Sequence, residues 1–148
     1  SRPALRLKAL RVLAEAGVPV GVMAAPLIPG LTDEEVPAIL EAAAEAGATS
    51  AAYTVVRLPG PVEPIFSEWV RAHFPERADK VLNRIRALRG GRLDDGRFGV
   101  RNRGEGVWAD TLGHLFRVTC ARLGLNRTRT VLSTAHFRRL PGGQMDLF

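Results

Sequence analysis

The stretch that decides the fold is "VPVGVMAAPLIPGLTDEE" (18–35). Its first eight residues are apolar and lie between a glycine and a proline, which predicts a strand buried on both faces in a parallel sheet. The Pro-Gly loop "PLIPGL" (26–31) follows. Thr32 and Glu35 then match a T-x-x-E capping box, in which each side chain accepts from the other residue's amide. We therefore expect a helix to begin here.

The same order of elements occurs a second time. The helix continues to Gly47, the apolar run "SAAYTVVRL" (50–58) predicts another strand, and "PGP" (59–61) follows it. Parallel strands joined by single helices belong to α/β layers or barrels, in which ligands bind at the loops after the strands. Both loops, 26–31 and 57–61, are therefore expected on one rim.

The remaining elements are helical. Their periodicity predicts helices over Pro3 to Ala16, 64–73, 76–89 and 108–123, with the link "GGRLDDGRFGVRNRGEG" over 90–106. We divide the chain into an α/β part (1–62), a helical extension (63–124) and a basic tail (125–148). Two strands do not make a stable parallel sheet by themselves. Since the chain also begins with Ser1, we expect it to be part of a longer protein.

Composition excludes several classes of protein. The chain has 148 residues and is 46% hydrophobic, as in ordinary globular domains. Its longest apolar stretch falls short of the about 20 residues that a membrane helix needs, so we expect a soluble protein. One cysteine, Cys120, cannot form an internal disulfide, which favours the cytoplasm, and its helix predicts a buried thiol. The three histidines have no zinc-site spacing, so we expect them to be structural or solvent-facing.

Positive charge is concentrated in the second half. Residues 1–74 carry 6 basic and 8 acidic side chains, which gives −2, whereas residues 75–148 carry 15 and 7, which gives +8. Such asymmetry is typical of a surface that binds an acidic partner such as nucleic acid. Alternatively, because 19 of the 21 basic residues are arginine, the excess reflects a GC-rich genome and solvated side chains.

Longer segments of the chain resemble one known family. The segments are "AGVPVGVMAAPLIPGLTDEE" (16–35), "AGATSAAYTVVRLPG" (46–60) and the sequence from there through "RFGVRNRGEG" to "RLGLNR" (122–127). They are similar to the last two strand units of a radical SAM barrel, in the spore photoproduct lyase-like branch of DNA repair proteins. The resemblance implies an α/β fold, namely the last two βα units of a partial (β/α)6 barrel, followed by a helical C-terminal extension.

The same resemblance implies two cofactors, S-adenosylmethionine and a [4Fe-4S] cluster on a CxxxCxxC loop. That motif is absent from this sequence, so we expect the cluster ligands elsewhere and the chain to be inactive alone. The family pattern G-x-I-x-G-x-x-E matches at Ile28 and Gly30 and departs at Pro26 and Asp33. Glycine at that point also lets the backbone approach a ligand closely.

The end of the second predicted strand contributes two more candidates. In the family this position packs the adenine and pairs its edge with main-chain groups, which implies Val56 and Arg57 as cofactor-binding residues. The alternatives are that "PLIPGL" is only a turn before a helix and that Arg57 is an ordinary arginine of the rim. A charged residue at the carboxyl end of a buried strand is nevertheless typical of function.

The glycine-rich link and its flanks contain the candidate nucleic-acid contacts. Guanidinium groups match phosphate oxygens, and glycines allow close backbone approach, so DNA is the expected partner. An aromatic ring in "RFG" could stack on an extruded base, although it could equally anchor the loop to the core. The candidates are Arg89, Arg92, Arg97, Phe98, Arg101 and Arg103.

The chain ends with "QMDLF" (144–148) behind a Gly-Gly spacer. This tail is similar to the peptide with which bacterial proteins bind the sliding clamp, and the corresponding residues are Gln144, Met145, Leu147 and Phe148. An extended peptide that places apolar side chains in a preformed pocket is a common recognition mode. The alternative is that the tail folds back onto an exposed barrel edge.

These features predict a radical SAM iron–sulfur enzyme that generates a 5′-deoxyadenosyl radical, resembles spore photoproduct lyase and acts on damaged DNA. One alternative is a non-catalytic module that docks on DNA and the clamp. Another is a radical SAM enzyme that modifies RNA or protein.

Overall fold

The computed structural model describes residues 2–128, 131 and 133–138. Helices and two parallel strands alternate, which confirms the mixed α/β class. The elements are α1 (Pro3–Glu15), β1 (Gly21–Leu27), a 3₁₀ turn (Asp33–Glu35), α2 (Val36–Glu45), β2 (Ser50–Val55), α3 (Val62–His73), α4 (Pro75–Leu88) and α5 (Val107–Leu123).

The two strands form a parallel ladder in which Gly21 lies opposite Ser50 and Leu27 lies opposite Val55. β1 begins three residues later than the predicted 18–25, and it ends two residues later because it continues through Pro26. Proline lacks an N–H group and is tolerated in a strand at an irregularity. The register shift between Ala24 and Leu27 is such an irregularity.

The prediction that both faces of β1 are buried is wrong. Ala24 and Leu27 are buried, whereas Met23 is 59% exposed. α2 packs on β1 and α5 packs on α2, so helices cover one face of the sheet. Within the described ranges no helix or strand packs on the other face, so its side chains remain exposed.

The start of α2 differs from the predicted capping box. The Thr32 hydroxyl accepts from the Ile28 N–H at 2.8 Å, and Glu35 donates its N–H to the Thr32 carbonyl at 3.2 Å. Thr32 therefore closes the preceding loop instead of capping the helix. Because Pro37 lies in the first turn of α2, its fixed φ angle favours a helix that begins at Val36, after the 3₁₀ turn.

The core lies between the sheet and α2, α4 and α5. Its fully buried members include Leu40 of α2 and Ile85 of α4. α1 forms almost as predicted but buries no residue of its own, and Leu5 and Val12 are exposed. Across the described residues, no helix has the length and apolar character required to cross a membrane.

Candidate functional site

The carboxyl ends of β1 and β2 carry the predicted rim. Since the strands are parallel, the loops over 26–31 and 57–61 leave the same edge of the sheet. The glycine-rich link reaches this edge too, because the Val55 N–H donates to the Asn102 carbonyl oxygen at 2.8 Å. The candidate cofactor residues and the candidate nucleic-acid residues therefore share one end of the molecule.

Arg89 holds the link in place. Its side chain is buried, with 2% of the residue exposed, and its Nη2 donates to the Val56 carbonyl oxygen at 2.8 Å. Its Nη1 donates to the carbonyl oxygens of Arg101 at 2.8 Å and Val100 at 3.2 Å. The prediction that Arg89 binds nucleic acid is therefore wrong, because its side chain is buried and both terminal nitrogens donate to backbone carbonyl oxygens inside the protein.

Burial lowers the pKa of Arg89. The negative charge of Asp95 opposes this decrease, whereas the positive charge of the nearby Arg57 lowers the pKa further. The last effect is informative, because it requires the Arg57 charge to be within electrostatic reach of Arg89. Arg57 itself is exposed at the rim. The end of β2 thus has one guanidinium inside and one facing solvent, and the carboxylates of Asp94 and Asp95 also lie within electrostatic reach of Arg89.

Arg97 is exposed but already paired with two carboxylates. Its Nη2 lies 2.6 Å from both Asp95 Oδ2 and Glu105 Oε1. The hydrogen bonds from Arg97 hold the pKa of Asp95 at about 2. Because two anions compensate its charge, Arg97 is poorly suited to bind a phosphate, and its main effect is to fold the link.

Phe98 is 89% exposed, so the alternative in which it anchors the link to the core is wrong. The guanidinium of Arg101 lies 5.1 Å from the centre of its ring, within the range of a cation–π contact. Arg92 and Arg103 are exposed as well, and neither takes part in an ion pair within the part of the chain that the structure describes. These four residues remain available to a ligand.

The first rim loop is held by its own side chains. The Gly30 N–H donates to Asp33 Oδ1 at 2.7 Å, and Asp33 also lies 3.6 Å from Arg84. Gly30 has a φ angle of +81°, and a Cβ there would lie 3.2 Å from Arg84 Nη1. The positive φ angle of the turn therefore favours glycine, and a larger residue would also require the Arg84 side chain to move slightly. Asp33, which departs from the family pattern, serves the loop itself.

Ile28 and Val56 offer less to a cofactor than expected. Ile28 is half-buried and packs against the core. The Val56 N–H donates to the Leu27 carbonyl oxygen at 2.9 Å, and its own carbonyl oxygen accepts from Arg89. The expected pairing of an adenine edge with the Val56 main chain therefore meets groups that are already bonded.

The chain thus fits S-adenosylmethionine only in part, through the exposed side of Ile28 and the Arg57 side chain. It does not fit a [4Fe-4S] cluster: no group of three potential metal ligands occurs among the described residues. Cys120, the single cysteine, is buried as predicted. Burial also raises the pKa of its thiol, which disfavours the thiolate that binds metals.

The sequence analysis missed a groove beside the outer edge of β2. It has a volume of about 700 Å³ and is lined by Tyr53, Arg103, Gly113, Arg117 and Asn126 among others. One signal for it is present in the sequence. Ala109 and Gly113 are small residues four positions apart on α5, a spacing that leaves one helix face close to its neighbour.

Gln144, Met145, Leu147 and Phe148 lie outside the described residues, so the sliding-clamp assignment stays a prediction. Comparisons of the chain with protein-family models, with curated proteins and with solved structures found no match.

Proposed function

We propose that this chain forms the last two βα units of a partial (β/α)6 radical SAM barrel, in an iron–sulfur enzyme that resembles spore photoproduct lyase and acts on damaged DNA. The observation that carries the proposal is the shared rim. A parallel β1–α2–β2 unit directs both of its loops to one edge, and the basic link is fastened to that same edge through Arg89 and Asn102.

The two outer strand edges of the sheet differ, and the difference supports the addition of further strands beside β1. The outer edge of β2 is closed, because the Asn126 side chain exchanges two hydrogen bonds with the main chain of Ala51 and Asn102 accepts from Val55. β1 has no comparable cover in the described part of the chain, and Met23 is exposed beside it. Earlier strands of a barrel would extend the sheet from β1.

The nucleic-acid part of the proposal rests on four residues of the link: the exposed Arg92, Phe98 and Arg103, and the half-buried Arg101. Three guanidinium groups without acidic partners in the described ranges suit a row of phosphates. Phe98 supplies a ring on which an unpaired base could stack. DNA with an unpaired base offers both groups at once, phosphates for the guanidinium groups and a base for the ring, so the proposal takes it as the partner.

This chain supplies no cluster ligands, so in the proposal they come from another part of the protein. The cluster would supply the electron that cleaves S-adenosylmethionine. The chain's own contribution is a wall of the site: Ile28 presents an apolar surface, Arg57 presents a positive charge, and Arg89 keeps the link against the strand end.

The first test uses the full-length protein, purified without oxygen. We expect about four irons and four sulfides per protein, as one [4Fe-4S] cluster contains, and 5′-deoxyadenosine formation from S-adenosylmethionine with a reductant. Absence of both the cluster and cofactor cleavage would reject the enzyme. Retained DNA binding in that case would favour the non-catalytic docking module.

A separate test concerns the partner of the tail. We propose that Gln144, Met145, Leu147 and Phe148 bind the sliding clamp. Deletion of residues 144–148 should abolish capture by immobilised clamp and leave DNA affinity unchanged. Capture that survives the deletion would show that the clamp binds elsewhere or not at all.

A further inference from the structure

The function proposed above uses Arg103, one residue of the groove beside β2, and assigns no role to the groove itself. Its volume of about 700 Å³ lies within the range of small-molecule sites, about 300–1,000 Å³. β2 forms its floor and α5 forms one wall, and the end of the link forms another through Arg103 and Gly104. Three elements distant in sequence therefore meet around one concave surface.

Within residues 2–128, the floor contains one pair of main-chain groups, those of Tyr53, that no other group bonds on the outer side of β2. Asn126 Nδ2 donates to the Ala51 carbonyl oxygen and Asn126 Oδ1 accepts from the Ala51 N–H, both at 2.9 Å. The Val55 N–H donates to Asn102. Since main-chain groups alternate in direction along a strand, the N–H and C=O of Tyr53 face the same outer side. Within residues 2–128 they meet no partner there.

The size of this gap excludes an added peptide strand. The closed positions, Ala51 and Val55, are four residues apart, a distance of about 13 Å along a strand. An extended peptide would collide with Asn126 at one end and with Asn102 at the other. A ligand that pairs with Tyr53 must therefore be short and carry a donor and an acceptor side by side, as the edge of a nucleobase does.

The Tyr53 side chain is held in a fixed position at the groove. Tyr53 packs against Phe116 with ring centres 4.7 Å apart, which fixes its orientation. A Cβ at Gly113 would lie 3.3 Å from the Tyr53 hydroxyl oxygen. Glycine at this position therefore lets the Tyr53 hydroxyl lie close to α5.

The charged residues of the groove favour an anion. Arg103 and Arg117 line it and form no ion pair in the described part of the chain, whereas Asp110 is the single acidic residue of the lining. The Arg103 guanidinium lies 6.0 Å from the centre of the Tyr53 ring. Arg117 donates to the Nδ1 atom of His114 at 3.2 Å. Two guanidinium groups beside an aromatic ring suit a phosphate attached to a planar base.

We infer that this groove binds one nucleotide, with the base edge against the Tyr53 main chain and the phosphate between Arg103 and Arg117. The inference rests on the nucleic-acid part of the proposed function and specifies which unit the chain holds. The nucleotide is either free or part of a DNA single strand, and the chemistry of recognition is the same in both cases.

The test measures binding of deoxyadenosine monophosphate and of a short DNA single strand by calorimetry. Arg117→Ala removes one phosphate contact and should weaken binding about tenfold. Ala121→Trp places a large side chain in the groove from an exposed helix position and should abolish binding. The matched controls Arg77→Ala and Ala38→Trp change exposed positions outside the groove and should leave both affinities unchanged.

An NMR measurement locates the base of the bound nucleotide. Addition of the mononucleotide should shift the Tyr53 amide resonance in a ¹H–¹⁵N spectrum, and Ala121→Trp should remove that shift. The circular dichroism spectrum of each variant checks that it is folded. If the DNA strand shows these effects and the mononucleotide does not bind, the groove holds a nucleotide within a strand. Equal effects on both ligands indicate a free nucleotide.

Other outcomes separate this inference from the proposed function. If the groove variants bind both ligands normally while Arg101→Ala weakens the DNA strand, the groove inference is overturned and the DNA-binding link stands. If the groove variants lose the mononucleotide while Arg101→Ala and Arg92→Ala bind DNA normally, the groove stands and the role of the link fails.

Discussion

Arg89 is the residue that couples the helical extension to the strand end. Replacement by Met keeps the apolar stem but leaves the carbonyl oxygens of Val56, Val100 and Arg101 without donors. Buried acceptors without a hydrogen bond destabilise the folded state, so we expect the free energy of unfolding to fall by about 3 kcal/mol. Urea denaturation measures this change. Arg92→Met, at an exposed position of the same link, should change stability little; equal losses in the two variants would contradict the anchoring role.

Asp95 provides the pH dependence at the residue scale. The hydrogen bonds from Arg97 lower the pKa of this carboxyl to about 2 in the folded protein, against about 3.9 in an unfolded chain. Because the pKa of Asp95 is lower in the folded protein, its contact with Arg97 stabilises the fold fully at a pH above the pKa of the unfolded chain. This contribution is lost as the pH falls through the folded-state pKa of about 2.

An NMR titration of the Asp95 carboxyl carbon checks this prediction. We expect no titration of that carbon between pH 7 and pH 4. In Arg97→Gln its pKa should rise towards the ordinary value, and a normal pKa in the unchanged protein would show that the Arg97 contact does not form in solution.

At the scale of elements, the link is docked on the end of α4 through a glycine. Gly104 has a φ angle of +78°, and a Cβ there would lie 2.8 Å from Leu88 Cδ2. Gly104→Ala should therefore lower stability by more than the about 1–2 kcal/mol of the left-handed backbone alone. Gly99 has a φ angle of +91° with nothing within 4 Å, so Gly99→Ala measures the backbone cost without the clash. Thermal unfolding of both variants separates the two terms.

The two strands differ in how their outer edges are covered. The Ala51 N–H donates to Asn126, whereas the alternation of β1 directs the Met23 N–H to its open edge. Amide hydrogen exchange should therefore be slow at Ala51 and fast at Met23. In the full-length protein, slow exchange at Met23 would accompany a strand added to β1. Fast exchange at both residues would show that Asn126 does not close the edge.

At the scale of the whole molecule, the basic half determines how binding depends on salt. Each phosphate contact on a single strand contributes about 0.7 to the slope of log K against log salt concentration. Replacing Arg92, Arg101 and Arg103 together by Gln should reduce that slope by about 2. Fluorescence anisotropy at several salt concentrations measures it. A triple variant at Arg71, Arg77 and Arg127 has the same net charge, and an equal reduction there would indicate unspecific attraction.

Local patterns predicted most of the elements, because periodicity and turn residues act within one segment. Proline and glycine bounded the helices within about two residues, except at the start of α2, and the apolar runs identified both strands. The capping box failed, since the Thr32 hydroxyl found a better donor in the loop before it. For Phe98 the sequence left two alternatives open, and its exposure was decided by the path of the link around it.

By itself, the sequence determined the order of helices and strands, the shared rim of two parallel strands and the basic second half. Only the tertiary structure decided which arginines are available. Arg89 reaches a carbonyl 33 residues away, and Asn126 closes a strand edge 75 residues away. Such contacts leave no periodic signal, because the free energy of burying a charge or closing an edge depends on groups that only folding brings together.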